Sequence, residues 1–294
     1  MRGRGIDFEH RFKTSRWAED LLIKALDSRH GLLTVRFGLS EVRREGELVY
    51  GLTSYKEPDL LVFSLDSLEP AELHVLTETN LESISRLEFA ANGKLEFVFR
   101  KALAAIEVEF SPYRASEMKD RNWLPRTRER WDKRPLKRAS PPTTPNVIVK
   151  EEDLPKLVDW QEGTGVPIAV VHLFDQEAFA VSLTTINDFN SLFEEPNSQK
   201  IMLQVTSGIF KILQPYNRVD ADGAAEKKII FKVTPSAAVS VGEVKNVMVS
   251  AQLGLSASKK YVTHAIFSGG NIEISEEFLK MIRQLKKLTH GQRR

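Results

Sequence analysis

Pro58-Asp59-Leu60-Leu61-Val62-Phe63 sets a carboxylate directly before a short apolar run, and Ile106-Glu107-Val108-Glu109-Phe110 sets two inside another. Runs of this length and composition read as buried strands. Glu107 and Glu109 are two residues apart, so both side chains leave the same sheet face, while Val108 turns to the core. Asp59, at the head of a neighbouring strand, is placed to converge on that face. An acid is costly to bury unless something binds it. A hard divalent cation such as Mg²⁺ is one such partner, and the three acids mark a candidate metal site. The alternative is a solvent-facing strand edge carrying ordinary glutamates.

Working outward, the spacing of Trp17, Leu21, Leu22, Ala25 and Leu26 predicts an amphipathic helix over 14–27, capped by Thr14 or Ser15. Glu19 falls beside its apolar face. Strands are expected at 32–38 and 48–53, separated by the polar turn at 43–47, and then at 60–63. Residues 97–105 read as a short helix leading into the strand 106–110. Pro112 ends that strand because proline cannot donate to a ladder, and a helix is expected from about 115 to 123.

Pro135, Pro141, Pro142 and Pro145 make 135–146 a loop within one domain. A strand at 147–149 and a helix from about 151 to 163 follow, with acids in the first turn of that helix. The run 166–174 is the most apolar strand, and 178–183 pairs with it or extends it. Strands at 229–233 and 261–267, a tight turn at Gly269-Gly270 and a helix over 275–288 complete the chain. This order points to an α/β (α+β) fold with a mixed central β-sheet flanked by helices. The division is a core over 1–196 and a C-terminal extension over 197–294 packed on it as one compact unit, supplying dimer or DNA contacts.

Composition narrows the function classes. The 294 residues carry 41% hydrophobic and 28% charged side chains, ordinary for a globular protein. Without cysteine there is no disulfide, thiolate nucleophile or cysteine-based zinc site. No apolar run approaches the roughly 20 residues that span a bilayer. The basic start Met1-Arg2-Gly3-Arg4-Gly5 leads into polar residues, so no secretory leader is expected and a cytoplasmic location is. No phosphate-binding Gly-x-x-x-x-Gly-Lys-Ser/Thr motif is present, so no ATP-driven motor is expected. The six histidines lack metal-ligand spacing, and His172 and Trp160 read as core, His172 as a satisfied one.

Charge is uneven. Between Tyr113 and Arg138 ten basic residues face four acids, a local +6 in a chain of net +2, which leaves −4 elsewhere. Such a patch is the footprint of a polyanion partner. Tyr113, Arg114, Lys119, Arg121, Asn122, Trp123, Arg126 and Arg128 follow the acidic strand directly and are the candidate DNA contacts, with Lys101 before it. The other reading of the segment is a solvated arm.

Pro58-Asp59 followed by Glu107-Val108-Glu109 resembles the signature of the PD-(D/E)xK nuclease superfamily. The surrounding sequence is similar to type II restriction endonucleases: Arg16-Trp17-Ala18-Glu19-Asp20, Phe37-Gly38-Leu39-Ser40, Arg100-Lys101-Ala102, Ser111-Pro112-Tyr113-Arg114-Ala115, Val149-Lys150-Glu151-Glu152-Asp153-Leu154, Trp160 and Val166-Pro167-Ile168. Together these pieces span about residues 14 to 183. The resemblance implies a restriction-endonuclease-like core and Mg²⁺-dependent, ATP-independent hydrolysis of double-stranded DNA at a specific short sequence, by a homodimer. It implies Asp59 and Glu107 as metal ligands, with the Val108 carbonyl adding an oxygen, and Glu19 as the helical acid that flanks such sites.

One departure matters. Glu109 stands where the superfamily usually has lysine, which shifts its role toward orienting the attacking water or a second metal. Lys119 or Lys101 is then the candidate for the missing positive charge. Two other readings stay open: a repair or junction nuclease that recognises DNA shape, and a non-catalytic DNA-binding subunit.

Overall fold

The computed structural model describes residues 6–38, 56–83, 93–111, 114–121, 143–191, 203–206, 208–219, 225–255 and 261–291. The expected strand at 48–53, the turn at 43–47, and Tyr113, Asn122, Trp123, Arg126 and Arg128 lie outside them.

Helix α1 (Ile6–Ala25) comes first, then β1 (Leu32–Arg36) and β2 (Leu60–Ser64). Helices α2 (Pro70–Glu78) and α3 (Phe97–Lys101) precede β3 (Ala102–Phe110). The helix expected up to Ala105 therefore stops at Lys101. Ala102 and Ala104 pair with Phe63 and Val62, and ladder pairing in a buried sheet overrides the helical preference of alanine. Next come β4 (Val147–Lys150), α4 (Leu154–Thr164), β5 (Ile168–Leu173), β6 (Glu177–Ser182) and α5 (Leu183–Ser191). The chain continues through β7 (Leu203–Thr206), β8 (Ile209–Val219), β9 (Ala225–Val233), β10 (Val239–Leu255), β11 (Tyr261–Ile274) and α6 (Glu276–Gly291).

Seven strands form one mixed sheet in the order β1-β2-β3-β5-β6-β10-β11, and β4-β9-β8-β7 form a second. In the large sheet only β3 and β5 run parallel among the described strands. A parallel pair needs a long crossover, and the stretch containing β4 and α4 supplies it. Gly165, at φ 71°, ends α4 and donates to the Gln161 carbonyl, a left-handed helix terminus that favours glycine.

The large sheet is covered on both faces. On one face lie Trp17, Leu21, Leu22, Ala25 and Leu26 of α1 and Phe278, Leu279, Ile282 and Leu285 of α6, against Ile106, Val108 and Val171. Each large side chain buried this way contributes roughly 1.5 to 3 kcal/mol. The Trp17 indole donates to the Gly269 carbonyl at 2.8 Å and stacks on Phe267. On the other face α4 (Leu154, Leu157, Trp160), Phe189 of α5 and Phe231 of β9 cover Ala105, Val170 and Phe63.

Beyond residue 197, β10 and β11 belong to the large sheet, and α6 packs across its centre. One expectation for the C-terminal third is corrected. Gly269-Gly270 does not end a strand. β11 runs through both glycines, at φ 65° and 91°, opposite Asn246 at φ 58°. They form an irregularity inside a paired ribbon, because the ladder resumes from Asn271 to Ile274. A Cβ on Gly270 would meet Val247 Cγ2 at 2.9 Å.

Candidate active site

Strand β2 begins at Leu60, which pairs with Ile106 of β3. Asp59 therefore sits at the mouth of the sheet beside Glu107. The Phe37 amide donates to the Asp59 carbonyl at 2.8 Å, and the Val108 amide donates to Asp59 Oδ2 at 2.7 Å. Because that amide nitrogen follows Glu107 directly, the Asp59 carboxylate lies at most about 5 Å from the Glu107 Cα by standard bond lengths. Two acids separated by 47 intervening residues share one corner of the sheet.

Glu107 is 4% exposed. Its Oε1 is ion-paired with Lys56, while its Oε2 is buried without a hydrogen-bond partner. Burial pushes Glu107 up to about 6; Lys56 pulls it down, while Glu109 and Asp153 push it further up. Asp59 is driven well above the usual carboxylate range, first by burial and then by the charges of Glu107 and Glu19; the Val108 amide and Lys56 act the other way. Acids held this way favour whatever cation reaches them.

Lys56 is the residue that sequence reasoning missed. It enters from the segment before β2, lies 3.3 Å from Asp153 Oδ2 at the start of α4, and lines one crevice with Glu107 and Glu109. Burial disfavours its charge, yet Glu107, Glu109 and Asp153 more than offset this and raise its pKa. The available signal was its place, three residues before Asp59 in a sequence that otherwise offers no lysine on the acidic strand.

Glu19 of α1 is buried on the Asp59 side. It accepts from Ser15 Oγ at 3.1 Å and Arg16 Nη1 at 3.2 Å and lies 3.4 Å from Arg36 Nε. Burial raises its pKa against the pull of both arginines. Glu109, next along β3, pairs in register with His172 of β5.

Other candidates are placed elsewhere. Lys101 is at the opposite end of β3, donating to the Ser67 carbonyl at 2.7 Å and pairing with Glu72 at 3.5 Å. Lys119 is exposed on a turn. Neither brings a positive charge to Glu107. Of the helix expected over 115–123, the described residues 115–121 form a single 3₁₀ turn, Ala115–Glu117, followed by a turn. The Asp120 amide, which a helix would aim at the Ser116 carbonyl, donates instead to the Thr143 carbonyl at 3.0 Å, and the Arg121 amide donates to the Met118 carbonyl at 3.1 Å. Arg114 is exposed 3.7 Å from Glu117, and Arg121 donates to Gln176 at 2.8 Å. Both lie past the C-terminal end of β3, the end that carries the acids.

His172 is buried as expected but not satisfied: neither ring nitrogen has a hydrogen-bond partner, and the ring stacks on Phe174 at 4.8 Å.

No protein family, curated protein or solved structure matches this chain. Among the described residues, no three His, Cys, Asp or Glu side chains converge as a ready cation cage. The donor set nevertheless suits Mg²⁺, which takes one or two carboxylates and completes its shell with waters and substrate phosphate oxygens. Asp59 and Glu107 are the two carboxylates at this corner of the sheet, and Glu107 Oε2 has no hydrogen-bond partner.

Proposed function

We propose that this protein is a Mg²⁺-dependent endonuclease that hydrolyses double-stranded DNA at a short specific sequence, in the manner of a type II restriction enzyme. The observation that carries the reading is the juxtaposition of Asp59, at the entry to β2, and the buried Glu107 of β3, with one Glu107 carboxylate oxygen left without a hydrogen-bond partner. A fold stabilises such a pair poorly by itself. Its cost makes sense where a dication and a phosphate complete the site.

Asp59 and Glu107 would hold the metal, with the Val108 carbonyl beside them. When bound, the ion supplies charge neutralisation and a lowered pKa for water. The residues do the rest. Val108 N–H fixes the Asp59 carboxylate in one orientation. Glu109, on the same strand face, is placed to accept a hydrogen bond from the attacking water. In the reaction the water oxygen bonds to phosphorus and one ester P–O bond breaks. The water loses a proton to solvent, and the departing sugar oxygen gains one. Arg114 and Lys119, exposed past the same end of β3, are suited to the flanking backbone phosphates. A palindromic site matches a two-fold symmetric reader, so a homodimer with one centre per strand is part of the proposal.

The test is incubation of the purified protein with phage DNA and Mg²⁺. Discrete fragments that vanish in Asp59→Asn and Glu107→Gln, with DNA binding retained, support the reading. Absence of any cut with Mg²⁺ or Mn²⁺ at stoichiometric protein sinks it. Cutting confined to branched substrates replaces sequence recognition with shape recognition.

A further inference from the structure

The carboxylate strand carries Glu109 where a lysine is the usual occupant, yet the crevice does not lack a cation. Lys56 reaches it from outside the motif. Its Nζ pairs with Glu107 Oε1 and lies 3.3 Å from Asp153 Oδ2. Its side chain is 24% exposed, and its ammonium is held between two acids. Asp153 is anchored in turn by Lys150 at 3.6 Å.

Resting on the nuclease reading above, we infer that Lys56 is the catalytic cation of this site, delivering to the Glu107 face the positive charge that Glu109 cannot. Charge at the reacting phosphate matters by position, not by place in the chain. An ammonium entering three residues before Asp59 meets the same carboxylate as one two residues after Glu107. A prepositioned cation facing developing negative charge in a water-poor site is worth far more than the same charge in solvent. Asp153 is the positioning residue: it fixes Lys56 without touching the phosphate. Lys56 stays protonated throughout, and the proton lost by water goes to solvent.

The assignment is tested with Lys56→Gln and the charge-conserving Lys56→Arg, read by the DNA cleavage rate, by Mn²⁺ binding in electron paramagnetic resonance, and by thermal unfolding. Lys56→Gln should cut at least about 100-fold more slowly, the scale of losing one preorganised charge. It should bind Mn²⁺ at least as tightly as wild type, because a competing cation has left Glu107. Lys56→Arg, which keeps the positive charge at the same position, should recover at least about tenfold of the loss.

A Lys56→Gln protein that cuts at the wild-type rate overturns the assignment and leaves the nuclease reading standing. So does one that loses Mn²⁺ binding, or a folded Lys56→Arg protein that cuts no faster than Lys56→Gln. A wild type that cuts nothing with Mg²⁺ or Mn²⁺ removes the nuclease reading and this assignment with it.

Discussion

Replacing His172 by leucine isolates one buried titration from the rest of the molecule. His172 sits on the sheet face that carries Glu107 and Glu109, 3% exposed, with both ring nitrogens unpartnered. Burial, with a smaller push from Lys232, lowers its pKa from 6.5 to about 3. A base with a depressed folded-state pKa contributes stability that is full above the unfolded value near 6.5 and is lost as pH falls toward 3, because only the unfolded chain takes up the proton. At about 1.4 kcal/mol per pH unit, the full difference is roughly 5 kcal/mol, and the part lost between pH 7 and pH 5 is about 2 kcal/mol.

Leucine abolishes this contribution. Urea unfolding followed by tryptophan fluorescence at pH 7 and pH 5 should show the variant losing about 2 kcal/mol less than wild type over that interval. The raised acids Glu19, Asp59 and Glu107 push in the opposite direction in both proteins and cancel in the comparison. Equal losses in the two proteins would refute the reasoning, since they would mean that His172 is hydrated or partnered in solution.

Other outcomes follow from the same geometry. Asp59→Asn keeps an acceptor for the Val108 amide but removes a charge beside Glu107, so it should raise the melting midpoint by about 2 to 4 °C per kcal/mol relieved while abolishing cleavage; a lower midpoint in calorimetry contradicts it. Glu107 is held at about 6, and a metal needs its ionised form. Mn²⁺ affinity should therefore climb as pH rises through that value and flatten above it, and isothermal titration that finds no change between pH 5 and 7.5 counts against Glu107 as a ligand. Trp160→Ala empties the 1% exposed centre of the second face and should cost about 3 to 5 kcal/mol, read as a shifted denaturant midpoint. If Arg114 and Lys119 meet phosphates, alanine at each should lower the slope of log K against log salt by about 1; an unchanged slope in filter binding removes that residue from the DNA path.

Periodicity made much of the architecture legible. The alternation in β3, the unbroken apolar run of β5 and the stripe on α1 named their own elements, and the proximity of Asp59 to Glu107 followed from one acid just before β2 and another inside β3. Local pattern failed where long-range pairing decides. Residues 102–105 are good helix formers drawn into a strand by β2 and β5. In the stretch 115–121 the Asp120 amide is drawn from a helical acceptor to the Thr143 carbonyl. Gly269-Gly270 reads as a turn until a partner strand is seen to run alongside.

The chain alone determined which residue types could do chemistry: acids on strands, no thiol, and a basic segment after the acidic strand. Which of them meet was decided by the fold. Lys56 and Asp153 are far apart along the polypeptide and carry no motif, yet α4 and the entry to β2 bring both to Glu107. Lys101 and Lys119, nearer in sequence to the acidic strand, are carried away from it. Electrostatic energy depends on distance through space, and a linear text records only distance along the chain.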